Sequence, residues 1–275
     1  MNVSYSVPGR IILSGKYTAI FGNPVLASAI DKRITFNLFE SDEKKKDTIV
    51  SIVEQTVKDI LIKKGIRISD VNYGFDIVSE IPKDQDLGYK SAVYVVATAA
   101  FLTFYSGKEF PIEEVNQIAF QIAKKFDKLS SGLDTTVSSL GGLIFYRKEF
   151  EFLKGIYQLQ FRIPKKIEEH LYIVPEKKGN SEIEANIGRL LNNNSKKGDL
   201  FLKQIEKLTK RIIVSIVKED EVFFANNLNE ENIYINKTLY GELTFPPSLI
   251  FSRKKVSDKR ASFFRQSYLG LNRLK

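Results

Sequence analysis

From Ser91 to Tyr105 the chain carries no charged side chain, and Ala92, Val93, Val95, Val96, Ala97, Ala99, Ala100, Phe101 and Leu102 are apolar. A helix that is apolar around its whole circumference has no face to give to water, so other elements must cover it on every side. The run is too short to cross a bilayer, which takes about 18 apolar residues or more. It demands a layered fold in which a sheet and further helices enclose one central helix, and a chain of 275 residues can supply them.

The surrounding elements follow from pattern. Ser4–Val7 and Arg10–Leu13 are apolar runs broken by Pro8-Gly9 and read as strand, turn and strand. Val25–Ile30 and the alternating Ile34–Glu40 flank Asp31-Lys32-Arg33, which makes the N-terminus a β-meander. Asp47 caps a helix bearing Ile49, Ile52, Val53, Val57, Ile60 and Leu61, and Gly65 closes it. Tyr73–Ser79 is a strand, and Lys83–Tyr89 is a polar loop into the central helix. Pro111 starts a helix with Ile112, Val115, Ile118, Ala119, Ile122 and Phe126 on one stripe. Tyr157–Ile163 and Leu171–Val174 are predicted strands, with Pro175–Asn180 a turn. Ser181–Leu191 and Leu200–Lys218 are predicted helices joined by a polar linker, Asn192–Asp199; beyond Glu219 the pattern dissolves, with Asn226, Asn227, Asn229, Asn232 and Asn236 scattered among aromatics, and no element is predictable beyond Ile235. Strand-rich sequence followed by helix-rich sequence predicts an α+β architecture of two domains, 1–150 and 151–275.

Composition excludes several functions. Without cysteine there are no disulfides or thiolate metal sites, and the single histidine, His170, leaves no histidine cluster and reads as part of a solvated helix face. The first residues show no basic segment before an apolar one, which predicts a cytoplasmic protein with no membrane partner. Of the net charge of +9, the segment from Arg253 onward supplies +7. No helix-turn-helix, zinc or RNA-binding signature accompanies it, so a solvated end is expected rather than a nucleic-acid surface. A patternless basic tail is also what a shifted reading frame near the end of a gene would produce.

The chemistry centres on Leu129–Tyr146. Asp134 follows the small turn Ser130-Ser131-Gly132 and precedes Thr135, Thr136, Ser138, Ser139, Gly141-Gly142 and the apolar Leu143–Tyr146. A carboxylate beside a helix start can accept a proton from a substrate hydroxyl, or it can simply cap the helix. The loop Pro82–Ala92, between a strand and the buried helix, is where backbone N–H groups can receive an anion. Gly88 permits close approach there, but neither the P-loop spacing nor a G-x-G-x-x-G is present.

Three segments carry a resemblance. Val7–Ile30 resembles the N-terminal motif of the GHMP small-molecule kinases, and among them the mevalonate kinases. The Asp134 stretch resembles the segment holding that family's catalytic aspartate, and Pro82–Ala92 falls at its ATP loop. The resemblance implies a GHMP kinase two-domain fold: a ribosomal S5 domain 2-like N-terminal domain, a helix-rich C-terminal domain, and ATP between them. It implies a small alcohol, mevalonate first, as substrate, Asp134 as catalytic carboxylate and Arg10, at the family's lysine position, as its electrostatic partner. It also implies that Gly88, Tyr89, Lys90 and Ser91 hold ATP, and that Lys16, Tyr17, Ser131 and Gly132 surround the substrate. A homodimer is compatible with it.

The departures are specific. Gly15-Lys16-Tyr17 stands for the family's Gly-Glu-His, Asp84 and Asp86 stand for loop glycines, and Tyr89-Lys90 for paired serines. The expected Mg²⁺ glutamate falls on Ala123, so no metal ligand is assigned, and the third glycine-rich motif is missing. Asp84 and Asp86 are expected to repel a triphosphate. Lys90 either stands in for the metal or pairs with one of them. Two readings follow: an ATP-dependent kinase of the mevalonate type, or a non-catalytic relative that keeps a ligand pocket or partner surface.

Overall fold

The computed structural model describes residues 2–42, 47–68, 71–83, 85–150, 154–174, 180–193, 195–240, 249–254 and 261–274. Strands are β1 (Asn2–Ser14), β2 (Val25–Glu40), β3 (Tyr73–Ser79), β4 (Leu143–Lys148), β5 (Lys154–Leu159), β6 (Leu171–Ile173), β7 (Leu249–Phe251), β8 (Ser262–Phe263) and β9 (Asn272–Leu274). Helices are α1 (Thr48–Lys63), α2 (Tyr89–Ser106), α3 (Ile112–Phe126), α4 (Leu133–Leu140), α5 (Lys165–Glu168), α6 (Asn180–Asn193), α7 (Ser195–Val217) and α8 (Glu221–Tyr240). Asp84, the turn predicted in 175–179 and Pro246-Pro247 lie outside the described residues.

A six-stranded antiparallel sheet runs β5-β4-β2-β1-β9, with β3 paired to the far half of β2. Against it lies α2, every residue of which from Ala92 to Tyr105 is buried, packed by β1, β2, α1, α3 and α4. The uncharged stretch thus sits where its composition requires. The core pairs sheet with helix through Phe36 tilted against Phe101 at 6.1 Å and Tyr73 edge-on to Phe101 at 5.1 Å. Glu54 on α1 is buried but satisfied by the hydroxyls of Tyr73 and Tyr105 and by Lys58. A second sheet, β7-β6-β8, and helices α6–α8 make up the rest. We propose the division near residue 150 on this change of character; the first sheet continues past it through β5 and β9.

Several expectations need correcting. Pro8-Gly9 does not break the first strand, because the pair sits at a register shift, where a bulge removes the need for the proline's missing N–H. Asp31–Arg33 does not break the second strand, so the predicted meander is two long paired strands. Arg33 reaches Ser6 at 2.9 Å and the Gly270 carbonyl at 2.8 Å, which gives its charged head partners within the strand pair's surroundings. The predicted strand at Tyr157–Ile163 starts earlier and ends at Leu159. The polar linker 192–199 is mostly helix, with α6 and α7 separated at residue 194. His170 lies not on a helix face but in the turn after α5, edge-on to Phe251 at 5.5 Å. Beyond Ile235 there is more structure than expected, since α8 runs to Tyr240 and β7, β8 and β9 follow. No helix among the described residues is long and apolar enough to cross a membrane.

Candidate active site

The site is built where β1 passes the bulge that Asp31 and Lys32 make in β2, between the pairs Pro8–Arg33 and Gly9–Ile30. A Cβ on Gly9 would lie 2.8 Å from Ile81 Cδ1 and 2.9 Å from the Leu87 carbonyl oxygen, so a side chain there would push Ile81 and Leu87 off the strand. With glycine the loop docks, and the Arg10 amide donates to the Leu87 carbonyl at 3.0 Å. Arg10 is 5% exposed, and its guanidinium lies between that loop and α4. Nε donates to Asp134 Oδ1 at 2.8 Å and Nη2 to Asp134 Oδ2 at 2.8 Å, a two-pronged grip. Nη2 also donates to Asp86 Oδ1 at 2.7 Å, and Nη1 to the Asp86 carbonyl at 2.8 Å. Burial alone would lower the Arg10 pKa, but the two carboxylates outweigh it and raise it.

Asp134 does not cap its helix. Gly132, with φ of 84°, is the N-cap of α4, and Asp134 lies inside the first turn. Its carboxylate goes to Arg10, because a fully charged donor fork outcompetes a backbone N–H. The helix dipole favours the same placement. Ser131 and Gly132 shape the entry: the Ser131 carbonyl accepts from the Tyr146 hydroxyl, and the Gly132 carbonyl accepts from the Thr136 amide and hydroxyl.

Lys16 reaches Asp86 Oδ2 at 3.2 Å from the turn after β1. Burial would raise the Asp86 pKa, but Arg10 and then Lys16 hold its carboxyl well below the usual range. The expectation that Asp86 presents uncompensated negative charge is therefore corrected. The pairing of Lys90 with Asp86 is not found either: Asp86 bonds Arg10 and Lys16, while Lys90 is exposed at the start of α2. Tyr17 takes the left-handed region, φ 68°, and packs on the cluster of Ile187, Phe201 and Ile205, tying the turn to the C-terminal helices.

These groups face one cavity of about 840 Å³, lined by Arg10, Lys16, Tyr17, Asp86, Lys90, Ser131, Gly132 and Asp134, with Ala185 and Gly188 of α6 on the far wall. Gly88, Tyr89 and Ser91 do not line it. Gly88 is the α2 N-cap with φ of 80°, and a Cβ there would lie 2.9 Å from Arg10 Cγ. Gly88→Ala is therefore expected to displace Arg10 and lower stability by about 1–3 kcal/mol, read as a lower urea midpoint. A normal midpoint would show that the loop absorbs the methyl group.

Sequence reasoning missed Glu231. It is 3% exposed on α8. It accepts from the Ser14 hydroxyl and, at 2.7 Å, from the Gly15 amide; Ser14 also bonds Thr209 of α7 at 2.7 Å. Burial pushes its pKa up to about 7, against the lowering effect of those two donors. The signal was the stripe Phe224, Leu228, Glu231, at helical spacing.

An α+β sheet-and-helix body with a second helical part and a cleft over Asp134 is the fold of the GHMP kinases, and residues 47–142 match the family described as GHMP kinases N terminal domain. Within that class the sequence resembles mevalonate kinases. The mevalonate kinase of Thermococcus sibiricus is 29% identical over 188 residues, 56% of this chain and 54% of that protein. The chain thus spans about half the length of the relatives it matches. Among solved structures, Methanococcus jannaschii mevalonate kinase superposes with a TM-score of 0.65 at 16% identity, covering 86% of this chain and 79% of that one. A D-glycero-D-manno-heptose 1-phosphate kinase from Bacteroides thetaiotaomicron gives 0.72 at 15% identity and covers 99% of each chain.

Proposed function

We propose that the chain phosphorylates a small alcohol with ATP in the cytoplasm, mevalonate being the first candidate and isoprenoid precursor synthesis the setting. The observation that carries this reading is the Asp134 carboxylate, gripped by Arg10 and facing a cleft beside the start of α2. The resemblance to mevalonate kinases supports the substrate.

Phosphoryl transfer asks a protein mainly to position the reactants and to neutralise charge. In this reading Asp134 accepts the proton of the alcohol. Arg10 fixes the carboxylate's orientation and, always protonated, cannot compete for that proton. Lys90 and the first turn of α2 receive the phosphates, and Lys16, Tyr17, Ser131 and Gly132 surround the alcohol.

The donor set does not fit Mg²⁺. Of the three carboxylates lining the cleft, Asp86 and Asp134 are engaged by cations and Asp127 accepts from the Leu129 amide at 2.9 Å; Ala123 is a buried apolar residue of α3, and no group of three acidic or histidine side chains that could hold a metal gathers among the described residues. We therefore infer that the metal's ligands are lost.

A second reading, a relative that binds ligand without turnover, is favoured by one observation: Asp86 already bonds two cations of the cleft, Arg10 and Lys16. Calorimetry with ATP, with and without Mg²⁺, followed by an ADP-release assay on mevalonate, separates the two. The kinase reading expects ATP binding and mevalonate-dependent ADP release. ATP binding indifferent to Mg²⁺, with no ADP release, would sustain the second reading instead.

A further inference from the structure

Arg10 is close to saturated. A guanidinium has five N–H donors, and four are used, two on Asp134 and two on Asp86. Its charge and that of Lys16 are paired with the carboxylates of Asp134 and Asp86 before any ligand arrives. The two carboxylates are placed differently. Asp134 is gripped at both oxygens by one planar fork from within the first turn of α4, while Asp86, in the loop before α2, has one oxygen on Arg10 at 2.7 Å and the other on Lys16 at 3.2 Å. Asp86 is the anion that bridges two separate cations, and it sits on a loop rather than in a helix. Its place, between a guanidinium and an ammonium on a cavity wall, is one a phosphoryl group would fill with the same partners.

We propose that Asp86 is a specificity-determining residue, an internal counter-anion that holds the phosphate position between Arg10 and Lys16 and admits only an anion able to displace it. The proposal rests on the reading of the cleft as a phosphate site. A monovalent anion gains nothing by the exchange, because it replaces one negative charge by another. A polyphosphate brings more charge than it displaces and can reach Lys90 as well, so the residue favours highly charged phosphates over weakly charged ones.

The test is calorimetry with inorganic tripolyphosphate on the whole chain and on Asp86→Asn, which keeps the size and an oxygen for Arg10 but removes the charge. Asp86→Ser serves as a second variant should the first fail to fold. The variant is expected to bind tripolyphosphate at least about tenfold more tightly than the parent, with the gain shrinking as salt is raised. It is also expected to gain measurable affinity for monovalent phosphate esters. Equal affinity in parent and variants would overturn the counter-anion while leaving the kinase reading intact. No binding of tripolyphosphate to parent or variants would overturn both, since there would be no phosphate position for Asp86 to hold.

Discussion

Asp134→Asn is expected to lower mevalonate-dependent ADP release by about 100- to 10,000-fold, the usual worth of a positioned general base, while the protein stays folded. Asparagine has the shape of aspartate and can still accept one bond from Arg10, but it cannot take the alcohol's proton. Arg10 keeps its contacts to Asp86, so its buried charge remains matched. The loss of one charge-assisted bond is expected to cost only about 1–3 kcal/mol. Initial rates measured beside urea melts separate the roles. A midpoint that drops while kcat holds would reduce Asp134 to a structural partner of Arg10. Arg10→Lys makes the complementary point, because a point charge cannot hold Asp134 at both oxygens and reach Asp86 as well. Its kcat is expected to fall with little change in KM for the alcohol.

The second large effect concerns Glu231 and pH. A solvated glutamate titrates near 4.5, whereas burial pushes this one up to about 7. Between those values the folded chain holds a proton that the unfolded chain has released. Stability therefore falls as pH rises through that window. Comparing pH 5 with pH 8, this group alone is expected to remove about 2–3 kcal/mol. The Asp86 carboxyl, held low by Arg10 and Lys16, titrates below the window and does not contribute to the slope. Urea midpoints across pH 5–8 provide the measurement, and Glu231→Gln is expected to flatten the profile and stabilise the protein at pH 8. A parallel slope in that variant would assign the pH dependence elsewhere.

Legibility in the sequence followed the strength of the local signal. The helix Ala92–Tyr105 was readable because apolarity on all sides has one physical solution, and Asp47 was readable as a cap because its partner, the Val50 amide at 3.0 Å, is three residues away. Asp134 and Arg10 were identifiable by resemblance, but not their bond, which spans 124 residues. Helix α8 was missed because asparagines suggest turns, whereas Asn227 and Asn236 bond back to the carbonyls of Phe223 and Asn232 inside the helix.

The sequence by itself determined the layers: a greasy helix must be wrapped, alternating segments must form the sheet that wraps it, and a chain without cysteine must rely on packing. Only the tertiary structure decided the charges. Whether Asp86 repels a phosphate or stands in for one, and whether Asp134 caps a helix or is held by Arg10, depends on which cation lies within about 3 Å of each carboxylate. Coulomb energies change steeply over that distance, and which residues come so close is fixed by the loop docked on Gly9 and a turn at Gly15, far from either acid in sequence.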